Sequence, residues 1–165
     1  AIKRFLNSPA GKKIKLIWLD SACMPQDLPK GSRTAEDKDE FKRMLSEVNM
    51  LYLGTTVLIL LDLSYVSRFW TQFEAWLSMQ QASDEGIRPA PEAARRCTVR
   101  NIHNAPIAFK DSLIEMWSAK SPQEAYDVLS QPDVTVTNQS DKEAQLPKII
   151  SINKLVKDTL VAYEQ

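Results

Sequence analysis

The chain has 165 residues, 44% hydrophobic and 25% charged, enough to bury one sizeable core. Its 21 Lys and Arg residues are balanced by 21 Asp and Glu, so no net charge draws it toward nucleic acid or an anionic membrane surface. No apolar run approaches the roughly 18 residues of a membrane span. The start, Ala1-Ile2-Lys3-Arg4, has neither an initiator Met nor a signal-peptide core, as expected of a single domain, residues 1–165, excised from a longer protein.

The chain opens with a short helical stretch, Ile2 to Leu6, and Lys12, Lys13 and Lys15 read as a solvated turn after it. Ile14 to Leu19 (IKLIWL) is nearly all apolar, as a strand buried on both faces of a parallel sheet requires. A Pro-rich loop, Pro25 to Ser32, leads to Thr34 and Asp37, spaced as a helix cap. Phe41, Met44, Leu45, Val48 and Tyr52 then form one helical stripe. Val57 to Leu61 (VLILL) reads as a second buried strand, and Trp70, Phe73, Leu77 and Gln80 mark the next helix. A second Pro-rich loop, Pro89 to Arg96, precedes a weaker strand, Cys97 to Ile102.

Phe109, Leu113 and Trp117 mark a helix, and Ser121, Pro122 and Glu124 place a cap, a first-turn proline and an N3 glutamate before another. Val134 to Thr137 reads as a fourth strand, and a closing helix from about Pro147 carries Ile149, Ile152, Val156 and Leu160 on one face. Strand alternating with helix predicts an α/β fold, a flavodoxin-like three-layer sandwich with a mainly parallel sheet of four recognisable strands. The strand that usually opens such folds has no counterpart before Ile2.

Ligands of such sheets bind beyond the carboxyl ends of the strands. Asp20 to Cys23, Asp62 to Tyr65, His103-Asn104 and Asn138-Gln139 stand there. Behind the second group, Trp70 and Glu74 share a helix face four residues apart. A carboxylate flanked by aromatic rings is partly desolvated and suits acid, base or nucleophilic work. From spacing alone, Glu74 reads first as a partner of Arg68 or Lys42, or as a solvated side chain. Asp20 and Asp62 read first as caps, and His103 as a loop histidine. Cys23 and Cys97 lie far apart, and with the single histidine they give no metal-ligand spacing. Two lone thiols fit a reducing, cytoplasmic setting. The four isolated glycines exclude a phosphate-cradling Gly-rich loop, so no bound cofactor is expected.

Three ordered segments are similar to a known group. Ile17 to Asp27 (IWLDSACMPQD) resembles the W-x-D-x-x-C-x-x-Q-D element of fungal heterokaryon-incompatibility domains. Met44 to Leu61 is similar to that family's helix-then-strand segment, and Ser64 to Glu74 (SYVSRFWTQFE) resembles the TIR segment S-x-x-Y-x-x-S-x-W-C-x-x-E. Thr71 stands where many TIR domains have cysteine, and Pro25 and Pro29 interrupt a loop that in those domains packs against a neighbour.

The resemblance implies NAD⁺ as substrate, cleaved between nicotinamide and ribose in a defence or cell-death pathway. Glu74 would be the catalytic carboxylate, with Asp20, Ser21, Ser64, Tyr65, Arg68 and Trp70 binding substrate. Of these, Trp70 and Tyr65 would stack on rings and Asp20 and Ser64 would hold ribose. It also implies a homo-oligomer, and leaves open a non-catalytic self-association module of the same fold. A phospho-accepting receiver built on Asp62 and Lys142 lacks the paired acidic residues such domains place after their first strand.

Overall fold

The computed structural model describes residues 1–137 and 139–163, which divide into two compact units, residues 1–51 and 52–165. The first unit contains α1 (Ile2–Leu6), a 3₁₀ turn at Gly11–Lys13, α2 (Asp20–Cys23) and α3 (Ala35–Glu47). The boundary between units falls within α4 (Asn49–Gly54).

Local chemistry explains these pieces. Ser8 Oγ donates to the Phe5 carbonyl at 2.6 Å and accepts from Gly11 N at 3.2 Å, closing the turn after α1. A Cβ on Gly11 would stand 2.0 Å from the Phe5 carbonyl oxygen, so only glycine fits there. α3 starts on the predicted capping box: Thr34 Oγ1 accepts from Asp37 N at 3.1 Å, and Asp37 Oδ2 accepts from Thr34 N at 3.0 Å.

The second unit begins with β1 (Val57–Leu61), a 3₁₀ turn at Tyr65–Ser67 and α5 (Phe69–Ser78). The hairpin β2 (Gln80–Ser83) and β3 (Gly86–Pro89) follows, then β4 (Cys97–Asn101). Three helices complete it: α6 (Ile107–Trp117), α7 (Pro122–Ser130) and α8 (Gln139–Tyr163). β1 and β4 pair in parallel, Val57 opposite Cys97 through Leu61 opposite Asn101, with α5 and the hairpin in the crossover. β2 and β3 pair antiparallel as a separate sheet. The fold of this unit is therefore α/β, of mixed helix and sheet.

The core is built on α5. Phe69, Phe73, Trp76 and Leu77, spaced i, i+4, i+7 and i+8, are all fully buried. Their rings form a run, with Phe69 and Phe73 centroids 5.9 Å apart and Phe73 stacked on Trp76 at 6.1 Å. Leu61, Leu113, Trp117, Leu129 and Ile149 join them from β1, α6, α7 and α8. The Trp76 indole N–H donates to the Lys120 carbonyl at 3.0 Å, so its one polar atom is satisfied inside the core.

Two of the four expected strands, Val57–Leu61 and Cys97–Asn101, form the parallel pair. Ile14 to Leu19 is not a strand. Its end residues Ile14 and Leu19 have extended dihedrals, but the segment forms no ladder among the described residues and Leu16 is 90% exposed. Extended, apolar sequence is thus present without the paired edge that makes a strand. Val134 to Thr137 contracts to a single parallel bridge between Thr135 and Arg68, because Asp133-Val134 turns sharply and α8 begins at Gln139. Asn138 lies outside the described residues.

Gln80 was expected on the helix of Trp70 to Leu77, and it opens β2 instead. Its side-chain amide donates to the Trp76 carbonyl at 3.1 Å and the Trp117 carbonyl at 3.3 Å, satisfying helix-end acceptors where α5 stops. The stripe from Phe41 to Tyr52 is divided between α3 and α4.

Candidate functional site

The carboxyl ends of β1 and β4 bring together Asp62, Ser64, Arg68 and His103. Asp62 Oδ1 accepts from Ser64 N at 3.0 Å and Ser64 Oγ at 2.9 Å, an Asx turn that follows directly from Asp-Leu-Ser after a buried strand. Arg68 Nη2 stands 3.6 Å from the same carboxylate oxygen, and Arg68 Nε donates to the Ser64 carbonyl at 3.3 Å. The Ser64 hydroxyl holds the Asp62 carboxyl below the usual carboxylate range, opposed by partial burial and assisted by Arg68. His103, at φ 51° in the left-handed region, lies near enough to add to that effect.

Arg68 and Trp70 also line a hollow of about 350 Å³ with Thr71, Thr135 and Thr137. Its far wall is fastened to the start of α5. Thr135 O accepts from Phe69 N at 2.8 Å, and Thr135 N and Oγ1 both donate to Ser67 O, at 2.8 and 2.9 Å. Trp70 is half-buried, edge-on to Phe69 with centroids 5.8 Å apart. An arginine, an aromatic face and two exposed threonine hydroxyls suit an anionic ligand that also carries a ring.

Glu74 lies one helical turn after Trp70, half-buried. Tyr65 is only 7% exposed and packs in the core. Burial pushes its phenol well above the usual range, and the negative charge of Glu74 adds to the rise, so the carboxylate and the phenol are neighbours. Tyr65 therefore presents no free ring for a ligand to stack on, and Glu74 does not line the hollow beside Trp70.

Asp20 and Ser21 belong to the first unit, exposed on the first turn of α2, where Asp20 Oδ1 accepts from Ser21 N at 2.7 Å. In the same unit Gln26 Nε2 donates to the Asp20 and Met24 carbonyls at 3.0 and 2.9 Å. Asp27 Oδ1 accepts from Gly31 N at 2.8 Å, and that bond chiefly lowers its pKa. Arg33 closes the loop, donating to the Pro25 carbonyl at 2.8 Å with its guanidinium 3.8 Å from the Phe41 ring centroid. The Gln-Asp pair of the sequence motif thus fastens the loop after α2.

Seven site residues were expected. Ser64, Arg68 and Trp70 are brought together, Tyr65 and Glu74 form an adjacent buried-side pair, and Asp20 and Ser21 stand in the other unit. Sequence reasoning missed Asp62 as the anchor of Ser64 and Arg68, although its position after β1 was visible. It also missed Thr135 and Thr137, which the β-branched pattern disguised as a strand. Among the described residues, no group of three His, Cys, Asp or Glu side chains is placed to hold a metal ion, and no helix is long and apolar enough to cross a membrane. In comparisons with known proteins, the chain matches no family model, no curated protein and no solved structure.

Proposed function

We propose that the chain is a TIR-like domain that hydrolyses NAD⁺ between nicotinamide and ribose, acting in the cytoplasm in a defence or cell-death response. The observation that carries this reading is the hollow at the start of α5, where Arg68 and Trp70 meet beyond the carboxyl end of β1. Arg68 offers a fork of donors to the pyrophosphate, Trp70 a face to a base, and Thr135 and Thr137 hydroxyls to a ribose. The flavodoxin-like order enters the reading through β1, α5 and β4.

The nicotinamide of NAD⁺ is already cationic and leaves neutral, so the reaction needs no strong acid. Glu74 supplies a carboxylate to the oxocarbenium-like centre, and Tyr65 positions it from the core side. Water completes the cleavage at the ribose carbon. Because Glu74 does not line the hollow in this conformation, the substrate must extend past Trp70 along the half-buried face of α5 that carries Trp70, Thr71 and Glu74. The reading is tested by nicotinamide release from NAD⁺ at high protein concentration, which wild type must show and Trp70→Ala must weaken through KM.

One observation favours a second reading, a self-association module without chemistry. In the first unit Leu16, Ile17 and Leu19 are 90%, 54% and 49% exposed within four residues, an apolar surface patch. On this reading Leu16→Asp abolishes oligomers seen by light scattering, and Glu74→Ala leaves them intact.

A further inference from the structure

β1 has one edge without a strand, since its one ladder partner among the described residues is β4. Along a strand, the backbone groups of alternate residues point to opposite edges. Val57 N donates to the Arg96 carbonyl at 3.0 Å and Ile102 N to the Leu61 carbonyl at 2.9 Å, so Val57, Ile59 and Leu61 turn their amides toward β4. Leu58 and Leu60 turn theirs outward, and neither makes a hydrogen bond among the described residues. Two N–H and two C=O groups thus stand open along one edge.

Edge strands are commonly kept from pairing with another chain by a charge, a proline or a bulge. Val57–Leu61 (VLILL) has none of these, and its register against β4 is unbroken. β4, at the other edge of the pair, carries the exposed Arg100. Ile59 and Leu61 are buried in the core, whereas Leu58 and Leu60 face the other side of the sheet and are half-buried. The spacing of the open groups says which strand fits. Outward groups two residues apart are met by an identical edge run antiparallel about Ile59. Leu58 then stands opposite Leu60 of a second copy, and each such pair exchanges two hydrogen bonds. In this register Asp62, the charge next to the strand, stands opposite Thr56 of the second copy, so no like charges meet.

We propose that two copies of this chain join edge to edge through β1, making one four-stranded sheet in the order β4-β1-β1-β4. The outward amides of Leu58 and Leu60 bond across the seam, and the leucine side chains of the two copies cover one another on the face away from the core. Two-fold symmetry closes the assembly at a dimer, because each copy uses its β1 edge once. The pairing is independent of the NAD⁺ reading, because neither Leu58 nor Leu60 lines the hollow of Arg68 and Trp70. It is also separate from the Leu16 patch, which belongs to the first unit.

The test is sedimentation velocity of the full chain over a concentration series, with Leu58→Pro beside wild type. Proline at 58 removes one outward N–H and spares the ladder to β4, which uses the amides of Val57, Ile59 and Leu61. The expected result is a wild-type monomer–dimer equilibrium that Leu58→Pro weakens at least about tenfold, because two-fold symmetry loses the bond twice. Monomer at every concentration overturns the proposal. A dimer that Leu58→Pro leaves intact, or that Leu16→Asp alone abolishes, overturns it too and moves the interface elsewhere. Should Leu58→Pro fail to fold, amide hydrogen exchange of wild type decides. The Leu58 and Leu60 amides must become protected as protein concentration rises, while those of Ile59 and Leu61 are protected throughout. Exchange at Leu58 and Leu60 that does not change with concentration overturns the proposal.

Discussion

Asn153, midway along α8, accepts a hydrogen bond from the Ile87 backbone N–H at 2.7 Å through its Oδ1, tying the β2–β3 hairpin to a helix 66 residues further on. Gly86 makes this contact possible. Its φ of +111° lies outside what L side chains adopt readily, and a Cβ there would stand 2.4 Å from the same Oδ1. Gly86→Ala is therefore expected to destabilise the second unit by about 2–3 kcal/mol, from strain and loss of this bond together. Asn153→Ala is expected to cost about 1–2 kcal/mol. The double variant should lose less than the sum, because both changes remove one contact. Urea denaturation of the three variants checks this.

Lys142 is buried and its ammonium serves two carbonyls of the loop that precedes α8. Burial lowers its pKa, opposed by Asp133, so the protein tolerates a partly desolvated charge to hold that loop. Lys142→Met keeps the aliphatic stem but removes the ammonium from both carbonyls, of which the Gln131 carbonyl still accepts from Val134 N at 3.2 Å. The expected loss is about 1–2 kcal/mol, since relief of the desolvated charge offsets part of the broken bonds. Amide exchange should quicken first at Val134 and Thr135, and exchange unchanged there would contradict the assignment.

The parts of this fold that were legible in the sequence are those written locally. The caps at Thr34 and Ser121 form as their spacing predicts, and the apolar run at Val57 and the weaker strand at Cys97 become the parallel pair. What escaped depends on partners distant in sequence. Ile14 to Leu19 has the composition of a buried strand, yet a strand exists only where another edge supplies its hydrogen bonds, and composition does not record that. The hairpin escaped for the opposite reason: Gln80 and Gln81 carry no strand signal, and Gln80 is placed by bonds to the ends of two helices. In the candidate site, the Ser64-to-Trp70 string was readable because its members are within one loop and one helical turn. The contribution of Thr135 was hidden, since it reaches Ser67 across 68 residues.

Asp62 offers a pH test. Its pKa is lowered in the folded chain, chiefly by the Ser64 hydroxyl. A carboxyl whose folded pKa is depressed contributes stability that is present above its unfolded pKa, near the ordinary Asp value, and lost as pH falls through the folded one. Ser64→Ala should return the Asp62 carboxyl toward that ordinary value and flatten the acid limb of the stability curve. A carbon-detected titration of the Asp62 carboxyl reads this directly, and an unmoved midpoint would show that Arg68 and His103 suffice.

The central claim is chemical, and it rests on Glu74. The most direct measurement is chromatographic, following NAD⁺ consumed and nicotinamide formed by concentrated wild type in a crowding agent, with Glu74→Gln alongside as a variant of the same shape without the charge. Turnover by wild type and a loss of at least about a hundredfold in Glu74→Gln is the predicted result, the scale expected when a charge that stabilises a developing cation is removed. Equal turnover by both proteins, or none by either at a concentration where oligomers are present, would contradict it.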